Sequence, residues 1–129
     1  MAIRQGPSPV RSYTLDERPF AGRSLHFIGI GAPGMSGIAL VTHALGARVS
    51  GSDRVDSPYC HGLRAVGIEP AIGHDAANLP TGAEVVISTA IPEDNVELAA
   101  AQTGGTTILH RRDLLGELSG MARDGVVTT

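Results

Sequence analysis

Residues 25–36, LHFIGIGAPGMS, hold Gly29, Gly31 and Gly34 in the G-x-G-x-x-G spacing that can seat a pyrophosphate. The first two glycines permit a tight turn and the close approach of an anion, and the third lets a helix pack on the preceding strand. The following helix would offer free N–H groups at the positive end of its dipole. Asp53, in VSGSD, stands about 20 residues beyond Gly34, where a carboxylate at the end of a second strand accepts hydrogen bonds from a ribose diol. No arginine precedes Asp53 in its turn, which favours an unphosphorylated ribose, although Arg54 follows it. Each feature also has a steric reading: glycines serve β–α turns that hold no ligand, and Asp53 within SDRVDS suits a loop or a helix cap. His26, His43, His61, His74 and His110 fall on different predicted elements without tight ligand spacing, so no metal site is expected. No Ser-His-Asp or Cys-His arrangement can be argued from the spacing, so no catalytic residue is assigned.

The elements that must position these residues follow from the apolar pattern. LHFIGI is a short continuous apolar run bounded by glycine, as a strand buried on both faces should be. In PGMSGIALVTHALGA, Met35, Ile38, Val41, Thr42 and Leu45 recur at three- and four-residue steps and predict a helix with that face inward, Pro33 fitting its first turn. ARVSGS reads as a second strand, SPYCHGLRAV as a helix, IEPAI as a weak third strand and EVVIST as a fourth. IPEDNVELAAAQTG turns helical in its second half, with Glu93 and Asp94 suited to the positive end of the helix. TTIL is a fifth strand, and RRDLLGELSGMA a last helix with Leu114, Leu115 and Leu118 available to the core. GVVTT opens a sixth strand. In GHDAAN, Asp75 and Asn78 read as a turn and helix cap. The alternation predicts an α/β, Rossmann-like three-layer domain with a mostly parallel sheet of five to six strands over residues 23–129. Residues 1–22, with prolines at 7, 9 and 19 and no periodicity, are expected to form a flexible arm.

Composition narrows the function classes. A length of 129 residues suits one core, and aromatics at 3% with 17 glycines suit helices lying close on a sheet. A net charge of -3 provides no basic field for nucleic acid. No apolar run approaches the roughly 20 residues that cross a bilayer, and no secretory signal opens the chain, so no membrane partner and a cytoplasmic location are expected. The lone Cys60 allows no internal disulfide and fits a reducing compartment. Because the chain stops at Thr129 within a predicted strand, a longer parent protein is expected.

HFIGIGAPGMSGIA, VSGSD, IGHDAANL, STAIPEDNVEL and LHRRDLLGEL resemble, in order and approximate spacing, the N-terminal domain of the Mur ligases, over about residues 25–121. The resemblance is strongest to the branch that joins L-alanine to UDP-N-acetylmuramate. It implies the first domain of a three-domain, ATP-dependent ligase of peptidoglycan synthesis, holding the UDP moiety. The parent's central ATPase domain would supply ATP and magnesium. Neither cofactor is expected in this chain, which alone should be inactive. Carried over position by position, the loop at Gly29, Gly31, Ala32, Pro33, Gly34, Met35 and Ser36 would face the diphosphate with backbone N–H groups and the Ser36 hydroxyl. Ser52 and Asp53 would meet the ribose or a phosphate, while His74 and the Ser88-Thr89-Ala90 turn would border the uracil. Arg111 would support the phosphates or sugar, or else be a solvated helix-start arginine. Family members usually read G-I-G-G-x-G-M here, so Ala32 and Pro33 depart from the pattern, and Pro33 removes one N–H. Two readings from other classes stay open: a free-standing NAD-binding regulatory domain, and an interaction domain with a vacant pocket. Removing the central domain would expose a sheet edge through which a homodimer could form.

Overall fold

A computed structural model of the chain describes residues 18–123, so the expected sixth strand and most of the expected arm lie outside the described residues. Five strands alternate with helices: β1 (Ser24–Ile28), α1 (Pro33–Ala44), β2 (Arg48–Asp53), α2 (Cys60–Ala65), β3 (Ala71–Ile72), β4 (Glu84–Ile87), α3 (Val96–Thr103), β5 (Ile108–His110) and α4 (Arg111–Arg123). A 3-10 turn at Ala76–Asn78 follows β3. The strands form one sheet in the order β3-β2-β1-β4-β5, and all four pairings are parallel. This is the expected Rossmann-like α/β fold.

The sheet order explains why helices cover both faces. The chain runs outward from β1 through β2 to β3, returns to β4 beside β1, and proceeds the other way to β5. With one handedness of crossover, reversing direction moves the connecting helix to the opposite face. The buried residues divide accordingly. Leu25, Phe27 and Val86 pack with Met35, Ile38 and Ala39 of α1, Leu63 of α2, and Leu114 and Leu118 of α4. On the other face Ile28 and Val85 meet Leu98 and Ala101 of α3.

Two helix faces are narrower than the spacing predicts. Val41 and Leu115 are each 40% exposed, because Ile38 with Thr42, and Leu114 with Leu118, already fill the space over the sheet. The second helix is shorter than SPYCHGLRAV, beginning only at Cys60, after Pro58. β3 keeps two residues of IEPAI, and its partner segment Ser52–Asp53 is the last of β2. At the amino edge Arg23 grips Glu84 through two hydrogen bonds of 3.0 and 2.8 Å and reaches Glu117 of α4 at 2.8 Å. β1, β4 and α4 are thereby tied together at the end remote from the loops described below.

Gly51 of β2 is buried where the sheet has no room for a side chain. A Cβ there would lie 2.5 Å from Ile30 Cδ1 and 2.7 Å from the Phe27 carbonyl oxygen. Gly51→Ala is therefore expected to destabilise the chain by about 1–3 kcal/mol through overpacking, read as a lower urea midpoint. An unchanged midpoint would mean that β1 and β2 separate freely at this position.

Candidate functional site

Parallel strands deliver all their carboxyl ends to one edge, and the loops that leave it form the site. The order reverses between β1 and β4, the position at which sheets of this kind take a ligand. The glycine loop leaves β1 on one side, and the Ser88–Ala90 turn leaves β4 on the other. The two touch: Gly29 has φ +84°, which glycine adopts without strain, and a Cβ on it would lie 3.2 Å from Ile91 Cδ1. Ser88 shapes its own turn, its hydroxyl accepting from the Ala90 amide at 3.3 Å and its carbonyl from the Ile91 amide at 3.1 Å. Thr89 and Ala90 are exposed on that turn.

The loop itself is held by its own backbone. The amides of Gly29 and Ile30 both donate to the Ser52 carbonyl at 2.8 and 2.9 Å, and the Ala32 amide to the Gly29 carbonyl at 3.1 Å. The Gly31 amide donates to Asp53 Oδ2 at 2.8 Å, and the Ser57 hydroxyl to the Gly31 carbonyl at 2.6 Å. A side chain on Gly31 would press on Ser57 Oγ at 2.9 Å, Asp53 Oδ2 at 3.0 Å and Cys60 Sγ at 3.2 Å. Glycine at 31 is thus a matter of space.

Ala32 is the N-cap of α1 without a side-chain cap, and Pro33 opens the helix. The Met35 and Ser36 amides return to the Ala32 carbonyl at 3.1 and 2.8 Å. The Ser36 hydroxyl, buried, donates to the Pro33 carbonyl at 3.1 Å, and Met35 is part of the core. Among the described residues the Gly34 amide has no acceptor. Ala32, Pro33 and Gly34 are exposed. Against Gly34 lies Arg111, the first residue of α4: a Cβ on Gly34 would come within 2.7 Å of an Arg111 guanidinium nitrogen. One free amide and one guanidinium therefore share the opening of α1.

Behind Ser52 lies a polar network that the motifs do not announce. Glu97, in the first turn of α3, has no exposed surface. Its Oε1 accepts from His26 Nε2 and from the Ser52 hydroxyl, each at 2.7 Å. Its Oε2 accepts from Asn78 Nδ2 at 2.8 Å and from the Asp75 amide at 3.1 Å, with His74 Nδ1 at 3.4 Å. His26 Nδ1 meets the Ser50 hydroxyl at 2.8 Å across the β1–β2 pair, and His74 Nδ1 meets Ser52 Oγ at 2.9 Å. Asp75 caps the 3-10 turn through the Ala77 amide. Asn95 is the N-cap of α3, its oxygen accepting from the Glu97 and Leu98 amides, so Glu93 and Asp94 precede the helix. Desolvation raises the Glu97 carboxyl, but hydrogen bonds from His26, Asn78, Ser52 and the Asp75 amide outweigh it and hold the group at about 2, from an ordinary 4.5.

Of the residues singled out in the sequence, the fold gathers the glycine loop, Ser52, Asp53, His74, the Ser88–Ala90 turn and Arg111 along one edge. Among the described residues no group of three or more His, Cys, Asp or Glu side chains is arranged to hold a metal ion. Glu97 escapes the motif reading because an acidic residue in PEDNVEL looks like an ordinary helix opening. A signal did exist. His26 interrupts an apolar strand, and Ser50 and Ser52 alternate on the next one. Three polar groups on one face of a covered sheet require a buried partner.

With its folded value depressed, Glu97 takes up a proton more readily in the unfolded chain. Its contribution is complete above about pH 4.5 and is lost as pH falls toward about 2. Glu97→Gln should lower the urea midpoint at pH 7 and flatten the decline of stability across that acid window. A variant that kept the full decline would assign it to other carboxylates.

A family model described as Mur ligase family, catalytic domain, matches residues 24–123. The UDP-N-acetylmuramate–L-alanine ligase of Acidiphilium cryptum is 49% identical over 100 residues, covering 78% of this chain and 21% of the relative. That of Rhizobium meliloti is 52% identical over 94 residues, covering 73% and 20%. Among solved structures, the UDP-N-acetylmuramate-alanine ligase of Thermotoga maritima superposes with a TM-score of 0.72 at 30% identity, over 75% of this chain and 23% of that one. A murein peptide ligase from Psychrobacter arcticus gives 0.69 at 28%, over 74% and 20%. The chain spans about a fifth of the length of the curated relatives it matches. With a family match running from the first residue of β1 to the last of α4, the chain belongs to the Mur ligase family.

Proposed function

We propose that this chain is the N-terminal, UDP-binding domain of an ATP-dependent UDP-N-acetylmuramate–L-alanine ligase of peptidoglycan synthesis. One observation carries the reading: about half of the aligned residues are identical to ligases of that name. The family-matched stretch also contains every element of the carboxyl edge. In this reading the diphosphate lies over Ala32, Pro33 and Gly34, with the Gly34 amide and the Arg111 guanidinium as its donors. Met35 and Ser36 support the turn from beneath, and Gly29 and Gly31 allow it to form. Asp53 braces the loop through the Gly31 amide. His74 borders the nucleoside from the β2 side with the buried Ser52 behind it, and Ser88, Thr89 and Ala90 border it from the β4 side. A charge-assisted hydrogen bond from Arg111 is worth about 1.5–3 kcal/mol. ATP, magnesium and the acyl-transfer chemistry belong to the remainder of the parent, and the reaction assigns no step to this chain.

Calorimetric titration of the chain with UDP-N-acetylmuramate and with NADH tests the reading. Binding of the UDP-sugar with little or no binding of NADH is expected, and tighter NADH binding would overturn it. Within the loop, Gly34→Ala should leave the fold intact, since the atom it displaces is the tip of a flexible side chain. It should weaken UDP-sugar binding about tenfold by pushing the guanidinium away. Gly31→Val, which strikes Asp53 and Ser57, should weaken binding more than Pro33→Gly, which alters only the exposed first position of α1. The opposite order for that pair would place the diphosphate elsewhere.

A further inference from the structure

We infer that Glu97, acting through Ser52, is a positioning residue that fixes the tautomer of His74 and makes His74 Nε2 a hydrogen-bond acceptor for a donor group of the bound nucleotide. The second half of the inference rests on the proposed nucleotide site; the first half does not.

The protons available to this cluster fix the ring. An ionised carboxylate only accepts, so at 2.7 Å the single proton of the Ser52 hydroxyl goes to Glu97 Oε1. His74 Nδ1 stands 2.9 Å from the same hydroxyl oxygen, whose proton is already committed. Nδ1 must then donate, since otherwise two lone pairs would face each other. The second neighbour of Nδ1 is Glu97 Oε2 at 3.4 Å, again an acceptor. The ring proton therefore resides on Nδ1, the less common tautomer of free histidine, and Nε2 of the neutral ring carries the lone pair.

Nε2 lies on the ring edge opposite this anchor. Among the described residues it has no partner, and the side chain keeps 21% of its surface. The ring is held at the carboxyl edge by its neighbours, because the Gly73 amide donates to the Asp53 carbonyl at 2.7 Å. Asp53 in turn braces the glycine loop. A neutral imidazole in this tautomer repels a phosphate oxygen and accepts from an N–H or O–H. On a uridine nucleotide the donors are the imide N–H of the base and the sugar hydroxyls. Ser52 and Glu97 touch no ligand in this arrangement and set the polarity of the atom that does.

A long-range proton–nitrogen correlation spectrum of the 15N-histidine-labelled chain, recorded at about pH 8, above the ordinary imidazole value of about 6.5, reads the tautomer without any ligand. His74 should show a protonated Nδ1 and a bare Nε2. A protonated Nε2 would overturn the inference. His74→Asn, whose amide can replace Nδ1–H but not Nε2, identifies the resonance while keeping the anchor. Titration with UDP should shift the Nε2 resonance and leave the tautomer unchanged, and UDP binding with that resonance unmoved would overturn the acceptor role. CDP, which lacks the imide proton, binding about tenfold more weakly than UDP would assign the imide, and 2′-deoxy-UDP doing so would assign the 2′-hydroxyl. 3′-Deoxy-UDP binding about tenfold more weakly would assign the 3′-hydroxyl, and equal affinities for all four nucleotides would overturn the acceptor role. Failure of UDP to bind at all would sink the acceptor role together with the nucleotide reading, while the tautomer result would stand.

Discussion

A carboxylate with no exposed surface costs several kcal/mol to desolvate unless donors replace the water it loses. Glu97 meets that demand with donors from β1, from the end of β2 and from the segment after β3, and it reaches them from α3. These four parts of the chain are far apart in sequence, and three of them border the carboxyl edge. The network sets where α3 sits on the sheet, and it holds the His74–Asn78 segment against β2 although β3 contributes only two residues of ladder. A strand that short supplies little pairing energy, and the side-chain contacts with Glu97 take over its work.

On the opposite face the constraint is packing. Small residues meet it: Ala39 on the core face of α1, Gly51 beneath Ile30 and the end of β1, and Gly31 where the loop meets Ser57, Asp53 and Cys60. Gly29 is different, since its φ of +84° is what turns the chain from β1 into the loop. Gly34 differs again, being exposed and leaving room for the Arg111 side chain. The three glycines of one motif thus answer to three demands: backbone conformation, interior space and access to a cation.

The fold was legible because parallel strands buried on both faces read as apolar runs, and the LHFIGI and EVVI segments are such runs. The least legible elements were those that tertiary contacts define. β3 is defined by its ladder to Ser52 and Asp53 and steadied by the Glu97 contacts of the segment after it rather than by its own pattern. The helix after Asp53 starts late because Pro58 disfavours a helical conformation at Ser57 before it. Helix periodicity located α1 and α4 but overstated their inward faces at Val41 and Leu115, since periodicity gives direction and not the width of the covered surface. In the site, the glycine spacing and Asp53 could be found by inspection. The partnership of Gly31 with Asp53, of Arg111 with Gly34, and of Glu97 with three strand and loop segments could not, because each joins positions whose separation no local pattern encodes.

Among the described residues, the peptide N–H groups from Gly29 to Ser36 are all engaged within the protein except that of Gly34, Pro33 having none. Such a loop is rigid before it meets anything, so little ordering entropy remains to be lost when an anion arrives. The same economy leaves it with little dipolar attraction of its own. In the proposed reading, capture of a negative group at this helix start rests largely on the guanidinium of Arg111, a monopole in partial contact with solvent. Its pull is screened over about 8 Å at physiological ionic strength. This loop is therefore more sensitive to salt than a cradle of converging amides.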